Sequence, residues 1–214
     1  MLDIQCFVVN MVEENCYVVS DSTREAVVID CGVLTRKEEE AFQSYVTEKK
    51  LTLTHLLCTH AHFDHIFGAE FIYRTYGLKP EIHGNDAMLY AQAAVQTRTI
   101  MHQEMEWTLP PHEISLTEND VITFGTHQLK VIATPGHTQG GVCFYCPSEQ
   151  ILFSGDSLFQ SCIGRTDLPG GNGPQLVEAL CRKILTLPPE TRVYPGHGPS
   201  TSIGYERRFN AYLR

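Results

Sequence analysis

The sequence contains no run of lysine and arginine, and no apolar stretch approaches the roughly 18 to 20 residues needed to span a bilayer. With 25 acidic against 16 basic residues the formal net charge is −9. Binding to a phosphate backbone needs clustered positive charge, so nucleic acid is excluded as the expected partner. Two bound divalent cations would cancel about four of those charges, which leaves the sign unchanged. The start, "MLDIQCFVVNMVEENCYVV", has acids and no basic region ahead of its apolar text, so no signal peptide is expected and the location is expected to be cytoplasmic. No disulfide framework is visible either. The eight cysteines, at 6, 16, 31, 58, 143, 146, 162 and 181, are scattered through apolar text and read as buried free thiols. No Gly/Ser linker divides the chain, so one α/β domain over 1–214 is expected. A domain of this length buries roughly 70% of its unfolded surface. It needs no metal merely to fold, and any metal site would be functional.

What is present alternates strand and helix. "IQCFVVN", "NCYVVSD" and "EAVVIDCG" are β-branched runs separated by turn residues, a meander of strands. "TRKEEEAFQSYVTEKK" places Phe42, Tyr45 and Val46 at helical spacing. "LTHLLCTH" is a short strand, and "HIFGAEFIYRTYG" reads as one helix closed by Gly77. "PEIHGND" predicts a strand and a turn, with Asn85 or Asp86 capping a helix over "AMLYAQAAVQ". The segment 97–113 has neither period and reads as a loop or short helix that covers something. The strands "VITFG", "HQLKVIATPG", "GVCFYCP" and "QILFSGD" follow, then a helix over "GPQLVEALCRKILTL" and a last strand and turn in "RVYPGHG". The repeated alternation suggests two stacked sheets flanked by helices.

Residues of ligand type sit where apolar strands end: Asp30 after "AVVID", then His60, His62, Asp64 and His65 after "LTHLLCT". His137, Asp156 and His197 each follow a glycine (Gly136, Gly155, Gly196) expected to allow the tight turn that aims them. Loops from several strands converge at such ends, where α/β proteins bind ligands. His60 and His62, two apart in extended chain, point to one side and can grip one ion. Asp64 and His65 can face a neighbouring position. Imidazole and carboxylate suit zinc, iron or manganese, and the lack of a thiolate-rich set argues against a closed structural zinc. Seven candidates exceed one tetrahedron and suit two divalent metals sharing a carboxylate.

His-x-His-x-Asp-His after a strand, then "TPGHT", "FSGD" and "YPGHG", resembles the metallo-β-lactamase fold superfamily, and the glyoxalase II-like hydrolases in particular. The resemblance runs from "NCYVV" to the final "GHG" and implies a four-layer αββα sandwich of two mixed sheets. It also implies roles for the residues. The first metal would take His60, His62 and His137, the second Asp64, His65 and His197, with Asp156 bridging. Zinc is the first expectation, with iron or manganese also suited. A metal-bridging hydroxide would then attack a thioester such as a hydroxyacyl-glutathione, with Asp64 orienting or deprotonating it.

The departures bear on substrate. Glyoxalase II continues past its last ligand histidine into a helical domain that grips glutathione, and that C-terminal domain is not expected here. "CIGRTDLPGG" keeps a basic Arg165, the expected substrate-binding residue, but puts Asp167 where those hydrolases carry an aromatic. "GRTD" and the terminal "GxExR" resemble short single-domain bacterial relatives. A mononuclear-iron sulfur (persulfide) dioxygenase is the main rival, since such relatives share these runs and use residues matching His60, His137 and Asp156. A nuclease would need a basic surface and an inserted domain, and a β-lactamase an export signal. The expected partner is thus a small molecule, with no nucleic acid and no membrane, and the sequence fixes no oligomeric state. Other motifs read as ordinary: Asp30 as a buried aspartate bonding loop backbone, His55 and His83 as isolated, and His102 and His112 as lining a lid. "CFYC" (143–146) reads as mid-strand thiols, and "PGGNG" (169–173) as a turn capping the next helix.

Overall fold

The structure is a computed structural model, which describes residues 1–102 and 104–213. β1 (Asp3–Val9), β2 (Glu14–Ser20) and β3 (Glu25–Ile29) form the expected antiparallel meander. Helix α1 (Arg36–Lys49) starts in a reciprocal cap between Thr35 and Glu38 and returns the chain to β4 (Thr52–Leu57), parallel to β3. Two short helices, α2 (Phe63–Ile66) and α3 (Ala69–Tyr76), lead to β5 (Pro80–Ile82). After α4 (Ala87–Ala91) and α5 (Ala93–Ile100), β6 (Glu113–Ile114) completes a six-stranded sheet in sequence order.

The second sheet contains β7 (Val121–Phe124), β8 (His127–Ala133), β9 (Val142–Cys146) and β10 (Ile151–Gly155). A small hairpin of β11 (Leu158–Phe159) and β12 (Cys162–Ile163) and helix α6 (Gly173–Ala179) come next. β13 (Arg192–Pro195) then lies parallel to β10, β14 (Thr201–Ser202) forms the edge, and α7 (Ile203–Phe209) follows.

Side-chain alternation explains the layers. In β2, Tyr17 and Val19 face the inter-sheet core with Phe144 and Phe153, while Cys16 and Val18 face outward. That outer face packs on Phe42 of α1 and Phe71 and Ile72 of α3. Cys143, Tyr145 and Leu152 on the far side of the second sheet pack on Leu176 of α6 and Ile203 of α7. Where a strand is covered on both faces, as in β9 and β10, it is buried along its whole length. The architecture is the expected αββα sandwich.

The helices differ in detail from the sequence reading. The helix expected over 65–77 breaks at Gly68, whose N–H donates to the Cys31 carbonyl (2.7 Å). A side chain there would strike Cys31 Sγ. The helix over 87–96 is interrupted at Gln92 and runs on to Ile100. Asp86 makes no cap bond, and the His83 side chain instead accepts from Asn85 N. The helix over 173–187 is capped from the 169–173 turn as expected, by the Asn172 side chain, but ends in a π-helical turn, Leu180–Ile184. β14 and α7 lie beyond the last element the sequence reading assigned. Five cysteines are buried as free thiols, but Cys6 and Cys162 are half-buried and Cys181 is exposed, because it falls on the outer side of the π turn. No helix among the described residues is long and apolar enough to cross a membrane.

Candidate metal centre

β3, β4 and β5 are mutually parallel, so Asp30, the segment 59–65 and Asp86 all leave the same edge of the first sheet. In the second sheet β8 and β10 both run antiparallel to β9, and β13 runs parallel to β10. His137, Asp156 and His197 therefore also share an edge. Backbone bonds join the two edges: Val142 N donates to Thr59 O (2.8 Å) and Asn15 N to Gly196 O (2.7 Å). Asn15 Nδ2 and Tyr17 hydroxyl add bonds to Pro195 O, which fixes the loop that carries His197.

The seven sequence-predicted residues converge. His137 Nε2 lies 2.8 Å from His62 Nδ1 and 3.2 Å from His60 Nε2. On the other side His197 Nε2 lies 3.1 Å from Asp64 Oδ2, and His65 Nε2 lies 3.7 Å from the same oxygen. Asp156 stands between the groups. Its Oδ2 is 3.6 Å from His137 Nε2 and 3.7 Å from His197 Nε2, and its Oδ1 is 3.4 Å from His65 Nε2. The one-turn helix α2 places Asp64 and His65 on the far side of His60 and His62.

The other ring nitrogen of four histidines is already engaged, which fixes each tautomer and leaves Nε2 facing inward. His60 Nδ1 meets Thr59 Oγ1 (3.0 Å), and His137 Nδ1 donates to Arg165 O (2.7 Å). His197 Nδ1 donates to Val12 O (3.0 Å), and His65 Nδ1 to Asp30 Oδ2 (2.9 Å). Asp30 also accepts from Thr59 N and Thr59 Oγ1, both at 2.7 Å. It is thus the buried aspartate the sequence suggested, but it also orients His65. Its φ of 53° lies in the left-handed region, where aspartate is tolerated better than most residues. Arg165 enters the site by its carbonyl. Its guanidinium is held in a two-point pair by Asp167, both contacts 2.8 Å.

The two halves differ in charge. Burial, reinforced by the neighbouring imidazoles, pushes His60 well below the usual histidine range and His62 to about 3. Both are neutral and ready to ligate. Burial also opposes charge on His65, but Asp156, Asp30 and Asp64 outweigh it and raise its pKa well above the usual value. Burial acts against ionisation of Asp156 and Asp64 too, and His65 overcomes it, so both carboxyls are held below their ordinary range.

Two observations test whether cations fit. His65 Nε2 and Asp156 Oδ1 are buried without a hydrogen-bond partner, a costly arrangement that a metal relieves. At Gly196 a Cβ would land on Asp156 Oδ1 and His65 Cε1, so the glycine keeps that space open. This differs from the turn role expected of it, which Gly155 does fulfil at φ 46°. His60–His62–His137 and Asp64–His65–His197 each bring their donor atoms within 4.8 Å of one another, as does His60–His65–Asp156. The donor set of imidazole and carboxylate suits a divalent metal.

The sequence profile of the metallo-beta-lactamase superfamily matches residues 10–197. The chain belongs to that superfamily. It is a metallo-hydrolase family, and this member is an enzyme of it. The chain is 34% identical to the probable metallo-hydrolase YqgX of Bacillus subtilis, over 96% of this chain and 94% of that protein. It is 30% identical to the hydroxyacylglutathione hydrolase GloC of Haemophilus influenzae, over 99% and 98%. Among solved structures it is similar to the BLEG-1 B3 metallo-beta-lactamase (34% identity, TM-score 0.89, 100% and 99% covered). It is also similar to TTHA1623 in a di-iron-bound form (34%, 0.85, 98% and 100%) and to ETHE1 from Myxococcus xanthus (29%, 0.79, 98% and 83%).

Two acids of this superfamily member escaped the sequence reading. Asp86 is buried, and its carboxylate accepts from Ala61 N (3.1 Å), Thr138 Oγ1 (2.8 Å) and Gly140 N (2.7 Å). It ties the His60–His62 loop to the His137 loop. Glu14 is fully buried beside His65. Its Oε2 accepts from Gly32 N (3.0 Å), its Oε1 has no partner, and burial pushes its pKa well up. The remaining histidines are elsewhere: His55 on Glu81 at 2.6 Å, and His112 against the Tyr90 ring. In the 97–113 segment Trp107 stacks on Phe67 at 5.1 Å, while Gln103 lies outside the described residues.

Proposed function

We infer that the enzyme hydrolyses thioesters, with His60, His62 and His137 holding one divalent metal, Asp64, His65 and His197 a second, and Asp156 shared between them. The observation that carries this reading is the position of Asp156, one carboxylate within 3.7 Å of histidines from both groups. When bound, the metals supply Lewis acidity and a water of lowered pKa. The chain's own residues do the rest. The Asp64 carboxylate, kept ionised, would accept a hydrogen bond from the attacking water and orient it while also holding the second metal. The fixed tautomers hold the imidazoles in place, so no reorganisation is needed as charge develops. A thiolate leaves without protonation, so the reaction requires no separate acid. The likeness to GloC supports this reading, as does a second donor set that a single-metal centre would leave idle.

A sulfur dioxygenase using one iron at His60, His137 and Asp156 is the second reading, supported by the likeness to ETHE1 and the "GRTD" run. Zinc-loaded and iron-loaded protein should each be assayed for cleavage of a glutathione thioester and for oxygen uptake with glutathione persulfide. Thioester cleavage is expected, inefficient through a high KM, because Asp167 engages the Arg165 guanidinium and stands where an aromatic would help grip glutathione. Oxygen uptake by the iron form, with no thioesterase activity in either form, would overturn the hydrolase.

A further inference from the structure

A cleft of about 90 Å³ opens beside the metal centre, with the His62 ring at its inner end. One wall is a single face of α5 and the residue before it: Gln92, Val95, Gln96 and Thr99 recur at i, i+3, i+4 and i+7. The opposite wall is Leu168 and Pro169, with Leu89 and Ile100 closing the sides. The wall is rigidly joined to the centre. Gln96 Nε2 donates to Ala61 O (3.0 Å) and Leu89 O (2.8 Å), and its Oε1 accepts from Phe63 N (3.0 Å). The Gln96 amide is therefore spent on holding the histidine loop and has little left to offer a ligand. Gln92, Val95, Thr99 and Pro169 are exposed and form the rim, while Leu89, Ile100 and Leu168 are half-buried and Gln96 and His62 buried. Among the described residues that line the cleft there is no lysine, arginine, aspartate or glutamate.

Resting on the thioesterase reading, the geometry points to this cleft as the acyl subsite, selecting a short, uncharged, apolar acyl group. A carboxylate or hydroxyl carried past the Gln92 and Thr99 rim would meet apolar side chains and a Gln96 amide already committed, and would lose its hydration uncompensated. The volume suits a chain of roughly three to five carbons, at about one water-sized volume per methylene. The thiol part, bulky and charged in common carriers, finds neither room nor a cation in the cleft and is left to the open side. Acyl length is set by Val95 and Leu168, which line the cleft from α5 and from the 168–169 loop.

The test uses zinc-loaded enzyme and acyl thioesters of one small uncharged thiol, N-acetylcysteamine. From acetyl to butyryl, kcat/KM is expected to rise about tenfold, at the apolar gain of two methylenes. Octanoyl should fall back, and succinyl and lactoyl should lie well below butyryl, succinyl by about 100-fold. Val95→Phe should bring the butyryl-to-acetyl ratio to about 1 or lower, a ratio that cancels any loss of folded or metal-loaded protein. Equal rates across the panel, or a preference for succinyl or lactoyl, would overturn the subsite. A second measurement stands apart from turnover: methyl NMR of the zinc form titrated with butyrate and with succinate. Butyrate should shift the Val95, Ile100 and Leu168 methyls and succinate should not. If no thioester is cleaved yet butyrate shifts those methyls, the thioesterase reading fails and the apolar subsite stands. Unshifted methyls would sink the subsite whatever the turnover.

Discussion

His65 Nδ1 lies 2.9 Å from Asp30 Oδ2, in a place where neither side chain is more than 2% exposed. The contact fixes the proton on Nδ1 and leaves Nε2, which has no partner, directed at Asp156 and Asp64. A carboxylate behind an imidazole also makes it a stronger donor to a cation. Asp30→Asn keeps the shape and removes the charge. Affinity for the metal that His65 would hold with Asp64 and His197 should fall about 10- to 100-fold. Competition with a chromophoric chelator reads this, and unchanged affinity would show that Asp30 only braces Thr59.

Asp86 links the two loops that carry His60, His62 and His137. Asp86→Ala leaves the Ala61 and Gly140 N–H groups and the Thr138 hydroxyl buried without an acceptor. A loss of about 2 to 4 kcal/mol in unfolding free energy is expected. Denaturant titration of the metal-free protein isolates it from any metal effect, and a loss below about 0.5 kcal/mol would count against the tie.

His55 and Glu81 give a pH dependence away from the centre. The hydrogen bond that His55 donates to Glu81 raises the His55 pKa above its ordinary value, against the opposing effect of partial burial. A raised pKa in the folded state favours the protonated, folded form. The contribution is therefore full below about pH 6.5, the unfolded value, and disappears as pH rises through the folded value. His55→Gln should cost about 1 kcal/mol or less at pH 5.5 and nearly nothing at pH 9. A cost that grew with pH would contradict the pairing.

Much of the site was legible because chemistry and position coincide. His60, His62, Asp64, His65, His137, Asp156 and His197 stand at the ends of apolar strands, and strand ends gather in α/β sheets. Asp86 was hidden because its partners lie 25 to 54 residues away, and the sequence around it reads equally well as a helix cap. Glu14 was hidden for a similar reason: its role comes from Gly32 and His65, brought beside it by sheet pairing. The breaks at Gly68 and Gln92 were missed because helical periodicity in 65–77 and 87–96 reports which face is buried. It does not report that Gly68 must press against Cys31. The exposure of Cys181 follows from the π-helical turn, which shifts the face that spacing alone would bury.

The central claim is two metals sharing Asp156, and metal content of protein purified without added metal tests it most directly. Elemental analysis should find two ions per chain in the native protein. Asp156→Ala, which removes a donor from both groups, should retain fewer than one after dialysis. One iron per chain in the native protein, or two ions still tightly held by Asp156→Ala, would contradict the account.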